Sequence, residues 1–202
     1  MDKLIMKATP LSRKTIGRAA RQVLNDFSPD RSVDLQRLDI ERMFETFVPR
    51  RFGIETSYEN LDFGIHGYTD PNSMRSVVAV NLVDSNDQST LRFGRSTLGH
   101  EIGHVVLHAM QFRKRKAESR FTHDDKHAPS YLFRKSDLAV FEDPEWQAWE
   151  FCKALFMPEV ATIEAVGAGL TVRQIAEKID LNPAFVESRL RNLRLLGKVR
   201  AF

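Results

Sequence analysis

The sequence of 202 residues contains only one cysteine, Cys152, so the chain cannot form an internal disulfide. It has no run of eighteen apolar residues, which excludes a membrane-spanning helix of the usual length. Residues 1–15 lack the apolar block of a secretory signal, and the chain has no internal repeats. With 42% hydrophobic and 28% charged residues, these absences predict a globular cytoplasmic protein that is not bound to a membrane.

The spacing of apolar residues predicts an α+β fold in three parts: an N-terminal helical segment at 1–48, a central core at 49–160 and a C-terminal helix-turn-helix-like segment at 161–202. The core is expected to combine a small mixed or antiparallel sheet with two long helices. Strands are predicted at 52–58, 64–68 and 77–83, and helices at 12–28, 34–47, from 90–97 to about 111, from 144 to 157, at 171–178 and at 183–195. Pro49 is expected to end the second helix.

The motif His-Glu-Ile-Gly-His at 100–104 is the strongest chemical signal in the sequence. Positions i and i+4 of a helix lie on one face, so His100 and His104 can bind one zinc ion with Zn–N distances of about 2.0–2.1 Å. Glu101 lies about 100° around the helix axis, where it can hydrogen-bond a water molecule in the open coordination position. This HExxH pattern is typical of zinc metallopeptidases. The other interpretation is a pair of hydrogen-bonded core histidines.

The third zinc ligand is expected near Pro144, where the second long helix begins. Four acidic residues lie there: Glu142, Asp143, Glu145 and Glu150. Glu145 is the best candidate, because Ala148, Cys152 and Phe156 follow it on one helical face that can pack against the histidine-bearing helix. His108 is too far along a straight helix, about 12 Å from His100 by rise alone, to share the ion. We expect His108 beside the ligands or on the surface.

Two stretches resemble the ImmA/IrrE family of zinc metallopeptidases. The first is Arg-Ser-Thr-Leu-Gly-His-Glu-Ile-Gly-His-Val-Val-Leu-His at 95–108, and the second runs from Glu145 to Pro158 with Glu-Trp-Gln-Ala, a Phe and then Leu-Phe-Met-Pro. The tail at 171–196 is similar to the family's helix-turn-helix-like C-terminal segment, so the resemblance covers about residues 50–196. Trp149 stands where the family usually has Asn, which predicts the loss of a polar contact to a zinc ligand. The segment between His104 and Glu145 is also longer than usual.

The resemblance implies a zincin-like core with Zn²⁺ as cofactor and Glu145 as third ligand. It also implies an endopeptidase that cleaves a helix-turn-helix transcriptional repressor in a stress, mobile-element or phage-defence circuit. In the expected mechanism, Glu101 takes a proton from the attacking water and passes it to the leaving amine. Candidates for an oxyanion donor are Tyr131, His123 and His127. All three can also be ordinary loop residues, or the two histidines a separate weak metal site.

The basic C-terminal segment supports a different function. Arg189, Arg191 and Arg194 lie on the second of its two short helices, where they could contact nucleic acid. The protein would then be a DNA-binding regulator whose metal site is structural or latent. The leucines of the same segment favour packing against the core, and the basic face can also be merely solvated. A peptidase held inactive until a signal arrives is a third possibility.

Two features of the core also have two interpretations each. Strand 77–83 is either an edge that binds an extended substrate or a buried core strand. Cys152 is expected to be a small buried hydrophobic residue. The alternative is a thiolate that binds zinc after a rearrangement and blocks the open coordination position.

Overall fold

The computed structural model describes residues 4–29, 35–119 and 132–199, and it confirms an α+β protein. The strands are β1 (Leu4–Met6), β2 (Glu55–Glu59), β3 (Gly67–Asp70), β4 (Arg75–Ala79) and β5 (Leu132–Arg134). The α-helices are α1 (Arg13–Phe27), α2 (Ile40–Arg42), α3 (Val48–Phe52), α4 (Gln88–His104), α5 (Met110–Ser119), α6 (Pro144–Phe156), α7 (Glu159–Gly167), α8 (Val172–Ile179) and α9 (Pro183–Asn192). Two π-helical turns (Met43–Phe47, Val105–Ala109) and four 3₁₀ turns (Val80–Leu82, Lys135–Asp137, Val140–Glu142, Leu196–Lys198) complete it.

The larger sheet has the strand order β2–β4–β3, with β4 parallel to β2 and antiparallel to β3. Its central strand carries Val77, Val78 and Ala79, all buried, as the apolar sequence predicts. Both edges of β4 are paired, so the interpretation of this strand as a substrate-binding edge is wrong. Within the described ranges, β3 pairs only with β4, and its other edge is open. A separate antiparallel ribbon joins β1 to β5.

The helix that includes Pro49 does not end there. It begins at Ile40, passes through the π-helical turn at 43–47 and continues to Phe52. Proline lacks the N–H that an α-helix would use, and its ring clashes with the preceding turn. The wider π-helical turn lies immediately before Pro49, and it relieves that clash. The helix ends at Gly53, which adopts the left-handed φ of +65° and donates its N–H to the Pro49 carbonyl.

Helix α6 forms the centre of the core, with α1 on one side and α4 on the other. Two glycines of α4 face α6 closely: a Cβ on Gly99 would lie 2.9 Å from Cys152 Sγ, and one on Gly103 would lie 2.9 Å from the Ala148 carbonyl oxygen. Only glycine permits this approach of the two helices. The two helices that carry the HExxH motif and Glu145 are therefore packed almost backbone to backbone.

Helices α8 and α9 confirm the two short helices predicted near the C-terminus. Arg189 of α9 is buried and donates to the Met157 carbonyl oxygen at 3.0 Å, so it belongs to the core and cannot read DNA. Arg191 and Arg194 are exposed, so a nucleic-acid contact through the segment is a prediction that depends on those two residues. No helix in the described ranges is both long and apolar enough to cross a membrane.

Candidate metal centre

The structure brings three candidate metal-binding side chains together where α4 meets the start of α6. His100 and His104 lie on α4 with their Nε2 atoms 3.0 Å apart. Glu145 Oε2 lies 3.3 Å from His100 Nε2, and Glu145 Oε1 lies 3.4 Å from His104 Nε2. In the part of the chain that the structure describes, no other three His, Cys, Asp or Glu side chains lie close enough together to share one metal ion.

These separations and this chemistry fit one zinc ion. Tetrahedral ligand atoms at about 2.0–2.1 Å from zinc lie about 3.3–3.4 Å from one another. The adjacent side chains of His100 and then His104 hold the pKa of Glu145 far below its usual range, so its carboxylate is charged at neutral pH. Two imidazoles and one carboxylate leave one position of a tetrahedral ion open.

Local sequence places Glu145 at the site. Pro144 occupies the first turn of α6, where a missing N–H costs nothing, and Asp143 caps the helix by accepting the Glu145 N–H at 2.9 Å. Asp143 therefore serves as a cap, and Glu142 binds Lys7 at 2.7 Å. Glu150 is buried away from the histidines, where it accepts hydrogen bonds from Arg13, Lys153 and Asn192.

Glu101 is buried on the adjacent face of α4, with 4% of its surface exposed. The Thr69 hydroxyl of β3 donates to Glu101 Oε2 at 2.7 Å. Gly67 of the same strand leaves room for the carboxylate, because a Cβ there would lie 2.9 Å from Glu101 Oε1. Burial raises the pKa of Glu101 to about 6, although His104 and the Thr69 hydrogen bond oppose the rise. The sequence motif did not predict that Gly67 and Thr69 belong to the site, because both contact Glu101 only in the tertiary structure.

His108 does not lie on the surface. It lies in the π-helical turn that follows His104, and 2% of its surface is exposed. Its Nδ1 atom lies 3.1 Å from His104 Nδ1. On the other side of the ring, Nε2 lies 3.0 Å from Gln147 Oε1. Burial lowers the pKa of His108 to about 3, so its ring is neutral. His108 thus lies directly behind a candidate metal ligand, and Gln147 is a residue of the candidate site that the sequence motif did not identify.

Trp149 packs against His100, the other histidine of the candidate site. Its ring lies 4.4 Å from that of His100, centroid to centroid. His100 Nδ1 is buried and has no hydrogen-bond partner among the described residues, which agrees with the loss of a polar contact predicted from Trp149. The Nδ1 atoms of the two histidines consequently have different surroundings: that of His100 is apolar, and that of His104 is hydrogen-bonded.

A pocket of about 190 Å³ opens beside the metal-binding side chains. Its walls combine apolar side chains with four polar ones, and the lining residues are Met6, Pro71, Ala109, Phe112 and Pro144 together with Thr69, His104, His108 and Glu145. Pockets for drug-sized molecules measure about 300–1,000 Å³, so this one is the size for a single side chain.

The remaining predicted residues divide into two groups. Tyr131, His123 and His127 lie outside the described residues. Cys152 is fully buried, its thiol lies 3.3 Å from the Ser96 carbonyl oxygen, and burial raises its pKa well above the usual range. The thiol is therefore protonated and packed, as its interpretation as a small buried residue predicts.

No model of a known protein family matches this sequence, and no curated protein matches it.

Proposed function

We propose that this protein is a zinc-dependent endopeptidase, with His100, His104 and Glu145 as the metal ligands and Glu101 as the general base. The observation that carries the proposal is the arrangement of the three donor atoms, 3.0–3.4 Å apart, beside a buried carboxylate. A purely structural metal site needs only its ligands, whereas Glu101 is a protonatable group held beside the three ligands without being one of them.

The residues of the site supply the steps of peptide hydrolysis. Zinc at this position would polarise the scissile carbonyl and lower the pKa of a water molecule toward about 7. With a pKa of about 6, Glu101 is ionised at neutral pH and still basic enough to take the water proton. The Thr69 hydroxyl orients the Glu101 carboxylate, and the protonated Glu101 then delivers the proton to the leaving amine.

The open edge of β3 is suited to an extended peptide. The His66 carbonyl accepts from the Ala79 N–H, and hydrogen-bonded pairs alternate along an antiparallel ladder. The backbone groups of Gly67 and Thr69 therefore face outward, away from β4. A substrate strand that adds to this edge would run beside Glu101 and could place one apolar side chain in the pocket next to His104.

The resemblance of residues 95–108 and 145–158 to ImmA/IrrE peptidases supports a more specific proposal. We infer a zincin-like core and a helix-turn-helix transcriptional repressor as substrate, in a stress, mobile-element or phage-defence response. An extended segment of such a repressor, with an apolar residue beside the scissile bond, matches the β3 edge and the pocket.

Metal analysis and a cleavage assay test the proposal together. We expect about one zinc per chain, lost in His100→Ala and reduced in Glu145→Ala. Incubation of the zinc-loaded protein with a helix-turn-helix repressor encoded beside its gene should yield two fragments, located by mass spectrometry. A protein that binds zinc but cleaves neither this repressor nor a library of unstructured peptides would contradict the enzymatic function.

A further inference from the structure

Gln147 of α6 is held in one orientation by two carbonyl groups. Its amide nitrogen Nε2 lies 2.8 Å from the Thr9 carbonyl oxygen and 2.7 Å from the Phe141 carbonyl oxygen. A carbonyl oxygen only accepts hydrogen bonds, so the amide nitrogen and not the amide oxygen must face these two groups. The side chain is fully buried, so water cannot supply an alternative.

This orientation determines which nitrogen of His108 carries a proton. Gln147 Oε1, which only accepts, lies 3.0 Å from His108 Nε2, so Nε2 bears the hydrogen. His108 is buried, and its two ring nitrogens face the Gln147 amide and the His104 imidazole. Neither ring nitrogen faces a carboxylate that would offset the cost of burying a charged ring, so the ring is neutral and its Nδ1 has a free lone pair.

The same reasoning continues to the metal ligand. His108 Nδ1 can only accept, and His104 Nδ1 lies 3.1 Å from it. His104 must therefore carry its proton on Nδ1, which leaves the lone pair of Nε2 free. That Nε2 atom is the one that faces His100 and Glu145.

We propose that Gln147 and His108 are positioning residues that hold His104 in the Nδ1–H tautomer, with Nε2 ready to bind the metal. The proposal rests on the metal site proposed above. It makes the two histidines unequal, because His100 Nδ1 has no such partner among the described residues. The anchors on Thr9 and Phe141 extend this control to the segments that precede α1 and α6.

Nuclear magnetic resonance of ¹⁵N-histidine-labelled wild-type protein tests the assignment directly. Imidazole ¹H–¹⁵N correlations distinguish the two tautomers of a neutral ring. We expect His108 as Nε2–H both without metal and with zinc, and His104 as Nδ1–H even in the metal-free protein. Observation of His108 as Nδ1–H, or of metal-free His104 as Nε2–H, would overturn the proposal. Failure to bind zinc would refute the proposed function but leave this measurement valid.

Variants of Gln147 separate positioning from packing. Gln147→Met removes the acceptor for His108, and we expect zinc affinity, measured by competition with a chromophoric chelator, to fall about 10–100-fold. Gln147→Glu keeps an acceptor for His108 but loses the donation to Thr9 and Phe141. It should retain the His108 tautomer and near-wild-type zinc affinity, with a lower melting temperature.

Thr162→Val provides the matched control, because it removes a buried hydrogen bond to the Pro158 carbonyl in α7, away from the site. We expect this variant to lose stability with no change in zinc affinity. Equal losses of zinc affinity in Gln147→Glu and Gln147→Met would show that zinc binding depends on the hydrogen bonds to Thr9 and Phe141 and not on the acceptor for His108. That result would overturn the proposal.

Discussion

At the scale of single residues, Glu101 has the clearest expected role. We predict that Glu101→Gln lowers the rate of substrate cleavage by about 10²-fold or more and leaves zinc bound, because the side chain moves a proton and does not hold the ion. The rate is measured on the zinc-loaded variant. Glu55→Gln makes the same chemical change at an exposed position of β2 and should have little effect. Wild-type cleavage by Glu101→Gln would show that another group is the base.

Cys152 tests whether the buried thiol restrains the metal. Its Sγ atom lies 3.3 Å from the Ser96 carbonyl oxygen and against Gly99, and the side chain is fully buried. We predict that Cys152→Ser costs about 1 kcal/mol of unfolding free energy but leaves the activity per folded molecule close to wild type. Thermal unfolding and the cleavage rate measure the two effects. A many-fold rise in basal activity at unchanged zinc content would mean that the thiol controls the metal.

At the scale of secondary-structure elements, the site depends on how closely α4 approaches α6. A Cβ on Gly103 would lie 2.9 Å from the Ala148 carbonyl oxygen and 3.0 Å from Ala148 Cα, and these backbone atoms cannot move without shifting α6. Since Glu145 lies in the first turn of α6, a shift of this helix also moves the proposed third ligand away from the histidines.

We predict that Gly103→Ala lowers the unfolding free energy by about 1–3 kcal/mol and weakens zinc binding. Denaturant unfolding of the metal-free protein and a zinc competition assay measure these effects separately. The matched control is Gly17→Ala in α1, where nothing lies within 4 Å of the new Cβ. This control should gain about 0.5–1 kcal/mol from reduced backbone freedom. Unchanged stability and zinc affinity in Gly103→Ala would contradict the close packing.

At the scale of the whole molecule, Asp180 ties the C-terminal helices to the helix that carries the HExxH motif. Its side chain accepts hydrogen bonds from Arg37, Gln88 and Arg92. Its carbonyl oxygen accepts from Arg95, which is buried and also binds Glu41 at 2.6 Å. A residue that links α8 and α9 to α4 holds the C-terminal segment against the part of the protein that contains the candidate metal site.

We predict that Asp180→Asn lowers the unfolding free energy by about 2 kcal/mol near neutral pH, because charged hydrogen bonds are lost. Burial alone would raise the pKa of Asp180, but the hydrogen bonds from Arg92 and Arg37 lower it by more. A lowered folded-state pKa stabilises the protein above the unfolded pKa of about 4, and this contribution disappears as the pH falls further. The difference between wild type and variant should therefore shrink below about pH 4.

Urea unfolding between pH 3 and pH 7 measures this dependence. Asparagine also tolerates the left-handed φ of 56° at position 180, so the substitution changes charge and not backbone strain. Asp62→Asn, at an exposed turn, is the control and should cost little at any pH. A stability difference that stays constant across this range would contradict the role of the charge.

The sequence by itself determined the features that depend on neighbours a few residues apart. Helical spacing located α1, α4 and α6, and the i, i+4 repeat placed His100 and His104 on one face, because a helix has a fixed period. Pro144 and Asp143 marked the start of α6 and with it the position of Glu145, because the first turn of a helix has unpaired N–H groups. These features are set by local backbone geometry, which depends only on residues within the same segment of the chain.

Only the tertiary structure decided which distant groups complete the site. Thr69 and Gly67 reach Glu101 across more than thirty residues of chain, and Gln147 reaches His108 from another helix. Tertiary structure also explains the two wrong predictions. The strand expected as a possible substrate-binding edge is the paired central strand β4, and Pro49 lies inside a helix because a π-helical turn makes room for it. Such contacts depend on how whole elements pack and pair, and the periodicity of one segment contains no information about its partner.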